Sequence, residues 1–342
     1  MNKSDFMQFF ENLPLQDRNT FHVPASTRYW ADFQSEKDLY NLLTDKRFDN
    51  LPIFTIGSGS NLLFTVDYPG LLLHSSIKGI EIIEENFNSV LVRSGSGVVW
   101  DDFVAYAVKK DWSGAENLSG IPGEVGATPV QNIGAYGAEA AALITSVEAF
   151  NRKTLKMDTF SHDDCHFGYR DSVFKHEFKN RYVICYVTYR LSKIFEPNIR
   201  YKDVAAKISD MGGATLENVR QTILEIRSQK LPDPNKTGNA GSFFMNPVIS
   251  SEHYQKLKEK YPEMPGWMQD DGRIKISAAW CIEKAGWKGK FLGNAGVHDR
   301  QALVLINSGK ATSGEIIALS EKIQEDVRNM FNVSLHPEVL FI

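Results

Sequence analysis

Residues 114–137 read GAENLSGIPGEVGATPVQNIGAYG, and this stretch decides what kind of fold the chain can have. Six of the chain's 25 glycines fall in it, a density about three and a half times the average over 342 residues. Two Gly-Ser-Gly triplets add to the pattern: Gly57-Ser58-Gly59 after a strand-like Leu51–Ile56, and Gly95-Ser96-Gly97 after a strand-like Ser89–Ser94. Glycine permits positive φ and close approach of backbone to a ligand, and successive N–H groups can then point into one concavity that suits a pyrophosphate. A diphosphate cofactor is therefore a candidate. The competing reading is that a glycine triplet after a strand is an ordinary hairpin turn, and it applies best to Gly95-Ser96-Gly97. It applies poorly to 120–137, where Gln131, Asn132 and Tyr136 set side-chain donors among the glycines. A Rossmann βαβ fingerprint is excluded: after Gly57-x-Gly59 the third glycine position holds Leu62, with no amphipathic helix or acidic residue about 20 positions on.

Around this stretch the chain alternates. A short amphipathic helix over 36–47 is followed by Leu51–Ile56, then by Val-, Ile- and Tyr-rich strands at 71–74, 80–83, 89–94, 146–150 and 181–191, interrupted by a helix at 100–110. From about residue 201 helices dominate: 215–229 with Leu216, Val219, Ile223 and Ile226 on one face, then 251–261, 277–285 and 313–331. Leu231-Pro232-Asp233-Pro234 stops the first of these. The fold class predicted is α+β, and no internal repeat is present.

Composition narrows the function. With 42% hydrophobic and 23% charged residues the chain is globular, and 38 basic against 42 acidic residues leave no footprint for nucleic acid. The longest apolar runs, Ala140–Ile144 and Ala302–Ile306, are far short of the roughly 20 residues of a membrane helix. Asp5 and Glu11 interrupt any secretory leader, and Cys165, Cys185 and Cys281 form no metal-binding or disulfide pattern, so a reducing cytoplasm and no metal are expected.

Taken in order, these segments resemble the UDP-N-acetylenolpyruvoylglucosamine reductase family: Asn19-Thr20-Phe21, Gly57-Ser58-Gly59-Ser60-Asn61-Leu62, Gly120-Ile121-Pro122-Gly123 through Gln131-Asn132-Ile133-Gly134-Ala135-Tyr136-Gly137, Tyr169–Lys175, Lys230–Pro234, Gly238–Pro247 and Pro337-Glu338. The resemblance implies a non-Rossmann FAD-binding fold of the vanillyl-alcohol oxidase and p-cresol methylhydroxylase type, with a separate α+β substrate domain. It also implies an N-terminal part of the flavin region at 1–70 that 332–342 rejoins, a β-rich FAD domain at 71–219, and substrate binding at 220–331. The activity implied is NADPH-dependent reduction of UDP-N-acetylglucosamine enolpyruvate to UDP-N-acetylmuramate, by a cytoplasmic monomer.

Reducing an enolpyruvyl ether puts charge on the α-carbon and carboxylate, which calls for preorganised donors and then a proton. By resemblance Arg170 and Glu338 stabilise the enolate and Ser242 gives the proton, with Lys230 and Asn246 as its neighbours. FAD would lie along Gly57, Ser58, Gly59, Ser60, Asn61 and Leu62, along Gly120, Ile121, Pro122, Gly123, Gly126, Ala127, Gln131, Asn132, Gly134, Tyr136 and Gly137, and by Arg227. Tyr201, in the position of a loop that closes on the substrate, would bind substrate together with Lys230, Asn246 and Gln301. One departure stands out: Leu340 occupies a position where the family often has arginine. Two other readings compete. Ser172-Val173-Phe174-Lys175 with Lys236-Thr237-Gly238 mimics a serine acyl-enzyme, although the intervening element is only Ser209-Asp210-Met211. A non-catalytic flavin or sugar-nucleotide binding module would need the glycines without Arg170, Ser242 and Glu338.

Overall fold

The structure is a computed structural model that describes residues 9–342; Asp5, cited against a leader, lies outside them. The described residues divide into two compact units, the first containing 9–13, 27–58 and 68–227, the second 14–26, 59–67 and 228–342.

The first unit holds two sheets. In one, the strands Phe9–Pro14, Ser26–Phe33, Tyr68–Ser75 and Ile53–Ile56 lie in that order, and the last three are mutually parallel. The Ser35-capped helix Glu36–Leu43 makes the crossover and buries Leu39 and Leu42 against Ala31, Phe33, Leu71 and Leu73. The other sheet is antiparallel and five-stranded, in the order Lys156–Ser161, Ile144–Asn151, Tyr182–Ser192, Ser89–Gly95, Ile80–Glu85. Helix Trp100–Lys109 carries Trp100, Phe103, Val104, Ala107 and Val108 on one face, at the spacing that lines a single stripe, and buries all five with Val90, Val92 and Tyr189. Helices Lys202–Asp210 and Leu216–Lys230 add a smaller core of Val204, Ile208, Val219, Ile223 and Ile226.

The second unit is built on the antiparallel sheet Gly238–Ser242, Val304–Asn307, Ala295–Val297, Phe291–Leu292. The long helix Ser313–Phe331 buries Ile316, Leu319, Ile323, Val327 and Phe331. Its start is fixed by a capping box between Thr312 and Glu315, whose carboxyl the Thr312 and Asn294 backbone N–H groups hold down to about 2. A second, three-stranded antiparallel sheet has the order Val248–Ile249, Ile274–Ile276, Gly266–Met268, with the last strand in sequence between the other two. Leu340–Phe341 pairs in parallel with Leu62–Leu63.

Candidate functional site

The glycine block folds by internal hydrogen bonds. Gly120, at φ +70°, donates from its N–H to Asp101 at 2.6 Å and accepts at its carbonyl from Arg227 Nε at 3.0 Å. Arg220 grips the same Asp101 carboxylate with two bonds of 2.7 and 2.8 Å, so helix starts and ends converge on this turn. Burial pushes the Arg227 guanidinium down from its usual range, and Tyr136 and Asp101 act the other way. Val125 N–H donates to Val98 O and Gly126 N–H to Ser96 O, and a Cβ on Gly126 would stand 2.7 Å from that of Ser96. Val125–Ala127 forms a 3-10 turn after Gly123. Asn132 is buried and wholly committed: Nδ2 donates to Glu139 and Gly168 O, and Oδ1 accepts from Ala141 N–H.

Gly134–Ala135 and Ala138–Glu139 pair around a two-residue loop, Tyr136-Gly137, with φ +48° and +79°. Both positive values mark the hairpin turn whose twist suits the strands. Asn117 Nδ2 donates to Tyr136 O and Asn198 Nδ2 to Gly137 O, while the Tyr136 ring meets Tyr201 edge-on at 5.5 Å. The amide oxygens of Asn117 and Asn198 are buried with no partner in the protein. Arg170 reaches the same hairpin: its Nη2 donates to Gly134 O at 2.6 Å, from a backbone with φ +55°. In the first unit the structure thus brings together Gly120, Gly134, Tyr136, Gly137, Arg170, Tyr201 and Arg227.

Beside Gly57 stands a cluster that sequence reading missed. Asp32 and His74 are direct partners on adjacent parallel strands; His74 Nδ1 lies 2.6 Å from Asp32 Oδ1 and Nε2 lies 3.1 Å from Glu124 Oε1. Burial alone would lower the imidazole, but hydrogen bonds to both carboxylates carry it up to about 9, so it is protonated at neutral pH. The signal was available: Glu124 is the single charged residue between Gly120 and Gly137.

In the second unit Gly59, at φ +68°, could take no side chain, since a Cβ there would lie 2.3 Å from Arg18 O. Its carbonyl accepts from Thr20 N–H, and Thr20 O accepts from Asn239 N–H, which ties the turn to the strand ending in Ser242. Glu338 N–H donates to Phe243 O at 2.8 Å, Leu340 N–H donates to Asn61 O, and Asn61 Nδ2 donates to Glu338 O. Phe243, Glu338, Asn61 and Leu340 are therefore linked by one short hydrogen-bond chain, and Ser242 and Leu62 adjoin its members in sequence. Before Ser242 the strand slips register, and Gly241, at φ +69°, faces open space. Asn246 lies apart from that chain, its Oδ1 accepting from Ala278 N–H at the start of helix Ala278–Lys284, and Gln301 folds onto Leu303 N–H before the strand Val304–Asn307. Lys230 closes the helix Leu216–Lys230.

The acyl-enzyme reading fails on geometry: buried Ser172 Oγ donates to Val130 O, and Lys175 Nζ donates to Arg170 O. Among the described residues no cluster of three His, Cys, Asp or Glu could hold a metal, and no helix is long and apolar enough to cross a membrane. The three cysteines are buried, and burial pushes each thiol up to about 12.

A flavin dinucleotide fits these residues. Ser58 is exposed at the Gly57 turn, and the buried amide oxygens of Asn117 and Asn198 have no protein donor beside the Tyr136-Gly137 turn. A family model described as "FAD binding domain" matches residues 29–154, and another, "UDP-N-acetylenolpyruvoylglucosamine reductase, C-terminal domain", matches 233–342. The chain is similar to the UDP-N-acetylenolpyruvoylglucosamine reductase of Porphyromonas gingivalis, 45% identical over 98% of this chain and 100% of that protein. It is likewise similar to that of Bacteroides fragilis, 46% identical over 96% and 98%. Among solved structures, the reductase from Thermus caldophilus is alike in fold, with a TM-score of 0.70 at 20% identity over 98% of this chain and 99% of that one.

Proposed function

The chain belongs to the UDP-N-acetylenolpyruvoylglucosamine reductase family, FAD-dependent oxidoreductases of peptidoglycan precursor synthesis, and from that premise we propose that it spends NADPH to reduce UDP-N-acetylglucosamine enolpyruvate to UDP-N-acetylmuramate. The observation that carries the reading is the hydrogen bond from Glu338 N–H to Phe243 O, which sets the residue next to Ser242 against the C-terminal glutamate. The Gly57 and Gly120–Gly137 turns would hold FAD, which when bound would supply the hydride that the enolpyruvyl methylene carbon needs. Arg170 offers its planar fork to the substrate carboxylate as charge builds there, and Glu338 stabilises the same enolate. Ser242 passes its hydroxyl proton to the α-carbon, and Lys230 favours the alkoxide left behind. Asn246, Gln301 and Tyr201 bind the substrate, with the Tyr136–Tyr201 ring contact holding that loop's start. We place this work in the cytoplasm, on a monomer.

The test divides the reaction in two. In Ser242→Ala, NADPH should bleach the flavin at the wild-type rate, while reoxidation by the enolpyruvyl substrate should slow about 10²–10⁴-fold. Stopped-flow absorbance near the flavin maximum measures both halves. Wild-type rates in both would remove Ser242 from the mechanism.

A further inference from the structure

Asp32, His74 and Glu124 take no part in the chemistry above, yet all three are nearly buried together at Gly57 and all lie within the stretch that matches the FAD-binding model. Two carboxylates around one imidazolium leave the cluster with a net negative charge. Trp30 covers the imidazole, ring to ring at 5.4 Å and 31°. Main-chain bonds fix the segment that carries Glu124: Trp100 N–H to Gly123 O, Val125 N–H to Val98 O and Gly126 N–H to Ser96 O. Those amides are spent on the protein, so the side chain is what this segment presents to the turn. Glu124 Oε1 faces His74, and Oε2 lies 3.3 Å from where a Cβ on Gly57 would be. A carboxylate at that place repels a pyrophosphate and receives a donor hydrogen.

We propose that Glu124 is a cofactor-binding residue, its Oε2 accepting a hydrogen bond from a hydroxyl or N–H of FAD, and that His74 and Asp32 are positioning residues which hold the carboxylate in place. This rests on the reading that FAD lies along the Gly57 turn. Asp32 and Glu124 are the charged groups acting on His74, so when the imidazole loses its proton one N–H remains for two carboxylates and the hold on Glu124 weakens.

The test titrates apoprotein with FAD by fluorescence quenching. Loss of one charge-assisted hydrogen bond should raise Kd about 10- to 100-fold in Glu124→Gln. His74→Gln should do the same, and the double variant should lose no more than either single one. Between pH 7 and pH 10 the wild-type Kd should climb, while that of Glu124→Gln stays level. Glu124→Asp, which keeps the charge and the imidazole partner but withdraws the oxygen, gives the same loss if Glu124→Gln does not fold. Titrations with flavin mononucleotide and with adenosine diphosphate then tell which half of FAD carries the donor. Wild-type Kd in the variants, or fully additive losses, would overturn the inference and leave the enzyme reading intact. Failure of the wild-type protein to bind FAD at all would sink the functional reading instead.

Discussion

The chain uses the same tripeptide twice, after a strand each time, in different surroundings. Gly95-Ser96-Gly97 is buried throughout: added Cβ atoms would lie 2.4 Å from Ile77 O and 2.3 Å from Ser75 O, and Ser96 Oγ pairs with Ser75 Oγ at 2.6 Å. It lets two segments of one unit touch backbone to backbone. In Gly57-Ser58-Gly59 the serine is exposed, and Gly57 faces a carboxylate oxygen rather than a carbonyl. Close packing demands glycine in both, since a Cβ on Gly59 would lie 2.3 Å from Arg18 O, but only Gly57 faces a carboxylate, and neither triplet is the plain hairpin turn that a triplet after a strand suggests.

The largest expected contrast comes from charge. Gly57 neighbours an ion cluster built on an imidazole, whereas Ser96 pairs with a neutral serine and Gly97 O accepts from the Lys78 ammonium. His74 titrates at about 9 when folded against 6.5 ordinarily, so its contribution is complete below pH 6.5 and lost as pH rises through 9. Urea unfolding of the apoprotein at pH 6, 8 and 10 should show up to about 3 kcal/mol leaving across this window, and His74→Asn should lack that slope. Next comes Gly97→Ala, expected to cost about 2 kcal/mol by overpacking, where Gly57→Ala changes urea stability by less than about 1 kcal/mol but weakens FAD binding. Equal stability losses at the two glycines would erase the distinction. Smallest is the serine pair: Ser96→Ala should cost about 1 kcal/mol for its buried partner, and Ser58→Ala less than about 0.5, read from the same curves.

Much of the architecture could be read from the sequence wherever one face of an element is wet. Helix 313–331 is found with its predicted bounds, and helices 100–109 and 251–260 end one residue short of theirs, because each has a stripe of apolar residues against a polar face. Strand Ser26–Phe33 went unpredicted. It runs through the middle of a parallel sheet and buries Trp30, Ala31, Asp32 and Phe33 in succession, so it shows no alternation. That same strand carries Asp32, and no local pattern in the sequence could pair it with His74, 42 positions on, or bring both to Glu124. The glycines were visible as a cluster but not by their duty. Gly126 proves to be a packing glycine and Asn132 a wholly internal hydrogen-bond hub, which only the contacts of each reveal. The bond between the Phe243 and Glu338 backbones was likewise hidden by nearly a hundred intervening residues.

The pairing of Leu340–Phe341 with Leu62–Leu63 also has a bearing on when the second unit can become whole. Asn61 and Glu338 are 277 positions apart, so the turn at Gly59–Leu62 leaves the ribosome long before the segment that fastens it has been synthesised. The hairpins of the antiparallel sheet in the first unit close over short loops and can form while translation continues. For most of its synthesis, then, the growing polypeptide carries an unfastened glycine turn, and the Ser242–Glu338 neighbourhood is among the last parts to be assembled.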